Sequence, residues 1–261
     1  MNVLGLEASI LLPAFVAGLL VVATHVPLGQ EVLRRGIIFI DLAIAQIAGM
    51  GVIAAHRMGW DPHGLEVQGA ALGSALLGAV LLSWTERRWQ KTQEALIGVV
   101  FVLAATASLL LLANNPHGGE HLKELMVGQI LWVEFAALKW VAVLSALVLA
   151  LWFGMRDRLG HIGFYILFAL SVTASVQLVG VYLVFATLII PALASLRFRS
   201  KSRLLAGYAL GIAGYAGGLI ASALLDLPSG ALIVWSLALL SIVVWFFMAR
   251  KDIPTTENTK L

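Results

Sequence analysis

A single acidic residue interrupts the second apolar segment of the chain. Asp41 follows Arg35 by six positions, which on a helix rising 1.5 Å per residue places it ~9 Å into that segment. Ionisable side chains within such segments usually face the interior of a helix bundle and mark an ion or substrate route. We therefore predict that Asp41 lines a transport pathway. The alternative is a carboxylate near the membrane surface that pairs with Arg34 or Arg35.

Two glutamines are weaker candidates for the same pathway. Gln46 lies five residues after Asp41, which is about 140° around an ideal helix, so the two side chains do not share a face. Gln177 stands at the short break between the sixth and seventh apolar segments, close to Gly180.

Possible metal ligands also collect in the polar breaks after the second and fourth apolar segments. Imidazole together with carboxylate suits zinc or a similar divalent ion. The sequence NNPHGGEH places a proline and two glycines among such groups, which lets this break wrap around a cation. We predict an outward vestibule that gathers metal, with simply solvated loops as the alternative. Its candidate ligands are His63, His117, Glu120 and His121.

The composition indicates that a membrane surrounds most of this chain. Hydrophobic residues make up 61% of its 261 residues and charged residues 12%, about half of what soluble domains carry. The absence of cysteine excludes disulfides, thiolate zinc sites and iron-sulfur clusters within the chain. There is no G-x-x-x-x-G-K-[ST] phosphate loop, so ATP hydrolysis by that route needs another polypeptide.

A spanning helix takes roughly 20 apolar residues, and the segments between polar breaks have that length. We predict an all-α, polytopic integral membrane helical bundle of eight or nine transmembrane helices. It forms one domain, residues 1–251, followed by a short disordered cytoplasmic tail, residues 252–261. The predicted segments are 8–27, 37–55, 67–84, 95–113, 130–155, 162–177, 179–196, 204–225 and 230–249.

The basic residues predict an orientation. When the polar breaks are assigned to alternate sides, fourteen of the seventeen Lys and Arg residues fall on one side, and only Arg57, Lys123 and Lys139 fall on the other. Cytoplasmic loops carry such an excess of positive charge. We therefore expect a cytoplasmic C-terminus and an external N-terminus.

The run from Ser175 to Ala194, SVQLVGVYLVFATLIIPALA, combines a membrane-length apolar helix with a glycine near one end and a proline near the other. Proline in a spanning helix removes a backbone hydrogen bond and usually kinks the helix. The run resembles the permease subunits of bacterial zinc and manganese ABC importers. Further anchors follow in the family's order, namely PLG at Pro27, EALIG at Glu94 and DLPSG at Asp226, so the resemblance spans nearly the whole chain.

The resemblance implies the permease subunit of an ABC importer for a divalent transition-metal cation, zinc or manganese. Such a permease is not an enzyme and holds no permanent cofactor. It is a homodimer in the bacterial cytoplasmic (inner) membrane, partnered by a separate ATP-binding cassette ATPase and an extracytoplasmic metal-binding protein, and it binds no nucleic acid. Gly180 and Pro191 would bound a hinged element in alternating access. The alternative is a non-transporting membrane assembly or sensor protein derived from the same permease fold.

Two departures of the chain from the family pattern bear most on its function. The aspartate that matches Asp41 is followed four residues later by a histidine in the family, and here that position is Ala45. The connection between the fifth and sixth helices, which in the family resembles the element that touches the ATPase, is shortened here to RDRLGH at 156–161. Either the loop TERRWQKTQE at 85–94 helps to dock the ATPase, or coupling is weakened or lost. The residues expected to face the ATPase are Arg156, Asp157, Arg158, Arg87 and Arg88.

Overall fold

Helices account for almost all of the chain that the structure describes. The computed structural model describes residues 3–61, 64–113, 123 and 126–249, and these residues contain no strand. The predicted all-α class is therefore confirmed. The main helices are α1 Val3–Arg35, α2 Ile40–Arg57, α3 Leu65–Arg88, α4 Gln93–Leu112, α5 Phe135–Val179, α6 Val181–Ser195, α7 Arg203–Leu225 and α8 Ser229–Ala249.

The long helix α5 bends into two halves. Met155 (φ −131°, ψ 16°) and Gly160 (φ 58°, ψ −164°) leave helical geometry, and the residues between them form a corner. We name the two apolar halves α5a, Phe135–Met155, and α5b, Arg158–Val179. Each half is long and apolar enough to cross a membrane by itself.

Within the described residues, seven helical segments are long and apolar enough to span a bilayer. The shorter apolar helix α6 and the more polar α2 complete the set, so each of the nine predicted segments corresponds to one helix or half-helix. The multi-span bundle predicted from the sequence is confirmed. The main difference lies in α1, which continues past the predicted end at residue 27 as far as Arg35.

One end of the bundle collects basic side chains. α1 and α3 end there with Arg35 and Arg88, and α7 begins there with Arg203. We call this the basic end, and we call the end where α4 and α5b finish the far end. Contacts between helices support this arrangement, because Arg35 of α1 and Glu86 of α3 meet His161 of α5b at the basic end.

Small residues let α7 lie close to its neighbours. A Cβ built at Gly207 would stand 2.7 Å from Val26 Cγ1, and one at Gly211 would stand 2.8 Å from Val22 Cγ1, both on α1. On the opposite side, Gly218 leaves room for Ile233 of α8. The glycines of α7 therefore serve helix packing inside one chain, as small residues commonly do in membrane bundles.

A hydroxyl from α7 explains how α1 passes through Pro27 without ending. Proline has no N–H, so the carbonyl of Ala23, four residues earlier, loses its helical partner. The Tyr208 hydroxyl donates to that carbonyl oxygen at 3.1 Å. Proline is tolerated in spanning helices where a neighbouring group satisfies the freed carbonyl in this way.

We expect Tyr208→Phe to lower the free energy of unfolding by about 0.5–1.5 kcal/mol, the net contribution of one hydrogen bond. Pro27→Ala restores the N–H that can pair with Ala23, so in that background Tyr208→Phe should cost clearly less. Thermal unfolding in detergent measures the four chains of this double-mutant cycle, with exposed Tyr182→Phe as the control. Equal costs in both backgrounds would contradict the assigned role of Tyr208.

Candidate functional site

The predicted pathway residue Asp41 is fully buried in the first turn of α2. Its side chain is 0% exposed, and neither carboxylate oxygen has a hydrogen-bond partner among the described residues. Residues 36–39 form a turn, so Asp41 is only the second residue of α2 and lies less far along a helix than the predicted ~9 Å. The N-terminal turn of a helix favours negative charge.

The alternative pairing of Asp41 with neighbouring arginines is not formed. Arg34 and Arg35 both turn back to Glu31 on α1, with Nη2 of Arg34 2.5 Å and Nε of Arg35 2.8 Å from Glu31 Oε1. Glu31 is itself 2% exposed. The basic residues before α2 are thus engaged by another carboxylate and do not pair with Asp41.

Glu94 of α4 fixes the start of α2. Its Oε1 accepts a hydrogen bond from the backbone N–H of Phe39 at 3.1 Å, which satisfies one of the free donors that precede the helix. The EALIG motif of the sequence therefore has a structural use in positioning Asp41. A carboxylate at this place also complements the positive end of α2.

A small cavity lies further along α2, toward the far end. Its volume is about 10 Å³, close to the space that one water molecule needs. Ala45, the position that follows Asp41 by one helical turn, contributes to its wall. The complete lining is Ala45, Gln46, Gly49, Ile53, Ser108, Met126, Val176 and Val181.

Of the two glutamine candidates, the structure brings one to this cavity. Gln46 is 5% exposed and lines the cavity beside Ala45, and its Nε2 lies 3.7 Å from the Sδ atom of Met126. Gln177 is exposed, and the neighbouring Val176 lines the cavity in its place. Gln46 and Ala45 are neighbours on the cavity wall, whereas Asp41 is not among the residues that line it.

Two glycine backbones meet beside the cavity at the far end. Gly180 separates α5 from α6 with φ 81° and ψ 162°, a conformation almost confined to glycine. A Cβ at Gly180 would contact the backbone N of Gly128 and stand 2.6 Å from the carbonyl carbon of Val127. Gly128 has φ 69° and contacts the backbone of Val179 in return. The predicted break at Gly180 is present, and its use as a hinge stays a prediction.

The second hinge candidate, Pro191, is buried inside α6. It frees the carbonyl of Thr187, four residues earlier, from its helical hydrogen bond. The Thr187 side chain bonds to the Leu183 carbonyl at 2.7 Å and to the Tyr215 hydroxyl of α7 at 2.9 Å. A hydrogen bond from α7 therefore supports the turn of α6 that Pro191 weakens.

The residues expected to face an ATPase lie at the basic end. Arg87, Arg88 and Arg158 are exposed there, while Arg156 and Asp157 belong to the corner of α5 and their side chains lie outside the described part. One residue of the RDRLGH corner has a partner that the sequence does not indicate. His161 Nδ1 lies 2.9 Å from Glu86 Oε2, across 75 residues of sequence.

The predicted vestibule ligands cannot be placed. His63, His117, Glu120 and His121 all lie outside the residues that the structure describes. Among the residues that it does describe, no group of three or more His, Asp or Glu side chains could hold a metal ion. The metal vestibule therefore stays a prediction.

His25 is not among the candidate site residues. Its place two residues before Pro27 favours a partnered histidine at the membrane surface. The structure buries it completely. Its Nδ1 lies 3.0 Å from the Val21 carbonyl, and within the described chain its Nε2 has no hydrogen-bond partner. The apolar positions Val21, Leu28 and Val32 on the same face of α1 are the signal that predicts this burial.

Comparison with known proteins identifies the group to which this architecture belongs. The sequence model of the ABC 3 transport family matches residues 7–164 and 152–248, which together cover most of the chain. The chain belongs to the ABC 3 transport family. The resemblance to ABC-importer permease subunits that the sequence motifs indicate is thereby confirmed.

Relatives of this family member include proteins named for metal transport. The high-affinity zinc uptake system membrane protein ZnuB of Haemophilus influenzae is 24% identical over 262 residues, covering 92% of this chain and 98% of that protein. The manganese transport system membrane protein MntC of Halalkalibacterium halodurans is 23% identical over 274 residues, covering 96% and 91%. Among solved structures, PsaBC from Streptococcus pneumoniae in complex with Fab superposes with a TM-score of 0.74 at 20% identity, covering 96% and 94%. That likeness shows a shared fold.

We expect Gly180→Ala to lower the free energy of unfolding by about 1–3 kcal/mol, the cost of holding a non-glycine residue in this backbone conformation. The new Cβ would also press on the backbone of the Gly128 segment. Gly154→Ala is the matched control, because a Cβ there meets nothing within 4 Å. Thermal unfolding in detergent decides, and equal stability of the two variants would contradict the backbone contact.

Ala45→His tests whether α2 presents a metal site at Asp41. The substitution places an imidazole one turn from the carboxylate, on the same face of α2, so zinc affinity should rise at least tenfold. Competition with a fluorescent zinc chelator measures this affinity. Ala45→Leu adds bulk without a ligand and should gain nothing, and Asp41→Asn should abolish the gain. A similar zinc affinity for Ala45→His and Ala45→Leu would contradict the site.

Proposed function

We propose that this chain is the permease subunit of an ABC importer that moves a divalent transition-metal cation, zinc or manganese, into the cell. The observation that carries the proposal is Asp41, an enclosed carboxylate without a partner among the described residues. Membership of a transport family and the metal names of ZnuB and MntC support a metal as its cargo.

The route proposed for the cation follows the buried face of α2. Asp41 stands near the basic end, and Ala45, Gln46 and Gly49 follow toward the cavity at the far end. The carboxylate attracts a cation and the amide of Gln46 offers an oxygen ligand, whereas Ala45 offers none. The cavity holds about one water molecule, so passage of a hydrated cation requires α2, α5b or the Met126 segment to move.

The partners proposed for this permease follow from its composition and family. The chain lacks a phosphate loop, so a separate ATP-binding cassette ATPase supplies energy at the basic end. A second copy of the chain and an extracytoplasmic metal-binding protein complete the importer. The excess of basic residues at one end supports a cytoplasmic C-terminus. The location proposed for the permease is the inner membrane of a bacterium.

A non-transporting assembly or sensor protein is the second candidate function. Two features favour it, the alanine at position 45 and the short corner between Met155 and Gly160. Both would weaken transport, the first by removing a ligand and the second by reducing the surface for an ATPase. Such a protein would keep the fold but import no metal.

Asp41→Asn should reduce metal import at least about tenfold while leaving the fold intact, because loss of a ligand costs no less than loss of an outer-shell partner. The measurement is uptake of radioactive zinc and manganese by vesicles that hold the permease and its ATPase and are supplied with the extracytoplasmic metal-binding protein. Exposed Glu66→Gln is the matched control and should import normally.

An ATPase-inactive partner should abolish import by the native chain. Import of either metal that is lost with Asp41→Asn and with the inactive ATPase supports the permease. Native chain that is folded and bound to its ATPase but imports neither metal would overturn this function and favour the assembly or sensor protein.

A further inference from the structure

One buried carboxylate at the basic end ties three helices together. Glu86 of α3 is 5% exposed, and its Oε2 lies 2.9 Å from Nδ1 of His161 and 3.5 Å from Nη1 of Arg35. Arg35 also lies over the ring of Phe164, 4.3 Å from its centroid. We call Arg35, Glu86 and His161 the clamp. It joins the end of α1, the end of α3 and the start of α5b.

The charges around the clamp are balanced. Glu31 and Glu86 face Arg34 and Arg35, so the four ionised side chains sum to zero without His161. Removing one partner of a buried ion pair leaves an uncompensated charge and is strongly destabilising. The clamp therefore holds the end of α1, the end of α3 and the start of α5b in one arrangement.

A second polar contact fixes the neighbouring turn between α3 and α4. Gln93, at the start of α4, donates from Nε2 to the carbonyl of Leu82 at 2.9 Å and to the hydroxyl of Tyr165 at 3.3 Å. Gln93 is 2% exposed, and Tyr165 belongs to α5b. The α3–α4 turn is thus attached to α5b on both of its sides, by Glu86 before it and by Gln93 after it.

The α3–α4 turn and the α5 corner present one basic surface outside these contacts. Arg87, Arg88 and Lys91 are exposed on the turn, and Arg158 is exposed on the corner. The corner itself has only four residues between Met155 and Gly160, too few to form a docking element alone. We name the exposed set Arg87, Arg88, Lys91 and Arg158 the docking surface.

We propose that the cytoplasmic ATPase binds this two-part docking surface and that the clamp passes its movement into α5b. The inference rests on the proposed function, and it adds the α3–α4 turn and the clamp to the short corner. A rigid surface built from two distant parts of the sequence suits a folded protein partner with acidic groups. An anionic lipid surface attracts basic residues without requiring fixed geometry.

The helix α5b connects the clamp with the far end. Its uninterrupted part begins at His161, just after the non-helical Gly160, and the 19 residues from there to Val179 span about 28 Å. Its last turn contacts the Gly128 backbone and contributes Val176 to the cavity. A displacement of the clamp therefore reaches the cavity through one continuous helix.

Cysteine accessibility tests the docking surface directly, because the native chain contains no cysteine. Arg88→Cys and Arg158→Cys are labelled with a maleimide in nanodiscs, with and without the ATPase. Arg199→Cys, exposed in the other basic loop of the same end, is the control. We expect the ATPase to slow labelling of Arg88→Cys and Arg158→Cys severalfold and to leave Arg199→Cys unchanged. Protection of Arg199→Cys alone, or protection by anionic lipid without the ATPase, would overturn the proposal.

The number of metal ions imported per ATP hydrolysed tests the role of the clamp. His161 is 52% exposed, so His161→Ala is expected to fold, and His161→Gln retains a donor for Glu86. We expect His161→Ala to lower the number of metal ions imported per ATP hydrolysed, with the ATPase still bound, and His161→Gln to restore most of it. A purely structural role would lower import and hydrolysis together and leave this ratio unchanged, which would overturn the clamp. If the native chain imports no metal, the proposed function fails, and the labelling experiment still decides whether the docking surface exists.

Discussion

The contact between two glycine backbones, Gly128 and Gly180, is the constraint on which the far end of the bundle depends. Both residues have positive φ, and a Cβ at either position would collide with the backbone beside the other glycine. The contact lets α5 stop and α6 begin within one residue, and it places Val176 and Val181 on the wall of the same cavity. The packing of α6 on α1, α7 and α8 follows from this sharp change of direction.

Hydrogen bonds are a second constraint on the interior of the bundle. Some buried polar side chains bond to a carbonyl of their own helix, as Thr187 does to Leu183. Others join different helices, as with Tyr208 on the Ala23 carbonyl and Glu94 on the N–H of Phe39. In a membrane, where water does not reach, such pairing is obligatory for backbone groups. Both carboxylate oxygens of Asp41 lack a hydrogen-bond partner among the described residues, and a cation is the partner that we propose for them.

The sequence predicts the helices well because each is an apolar run bounded by polar residues, and that signal is local. The break at Gly180 is also local. The continuation of α1 beyond Pro27 is not, because it depends on Tyr208, 185 residues away. The clamp is equally invisible in the sequence, since Glu86 and His161 are 75 residues apart and neither belongs to a motif. Burial of Asp41 follows from its apolar surroundings, but its freedom from Arg34 and Arg35 depends on Glu31 turning toward them.

We propose that the metal follows the buried face of α2. The most direct test is a cryo-electron microscopy structure of the permease bound to its ATPase and trapped in the presence of zinc. We expect zinc density about 2.0–2.2 Å from a carboxylate oxygen of Asp41, the usual distance for a zinc ligand. Zinc density at another place in the membrane region, with none beside α2, would contradict it.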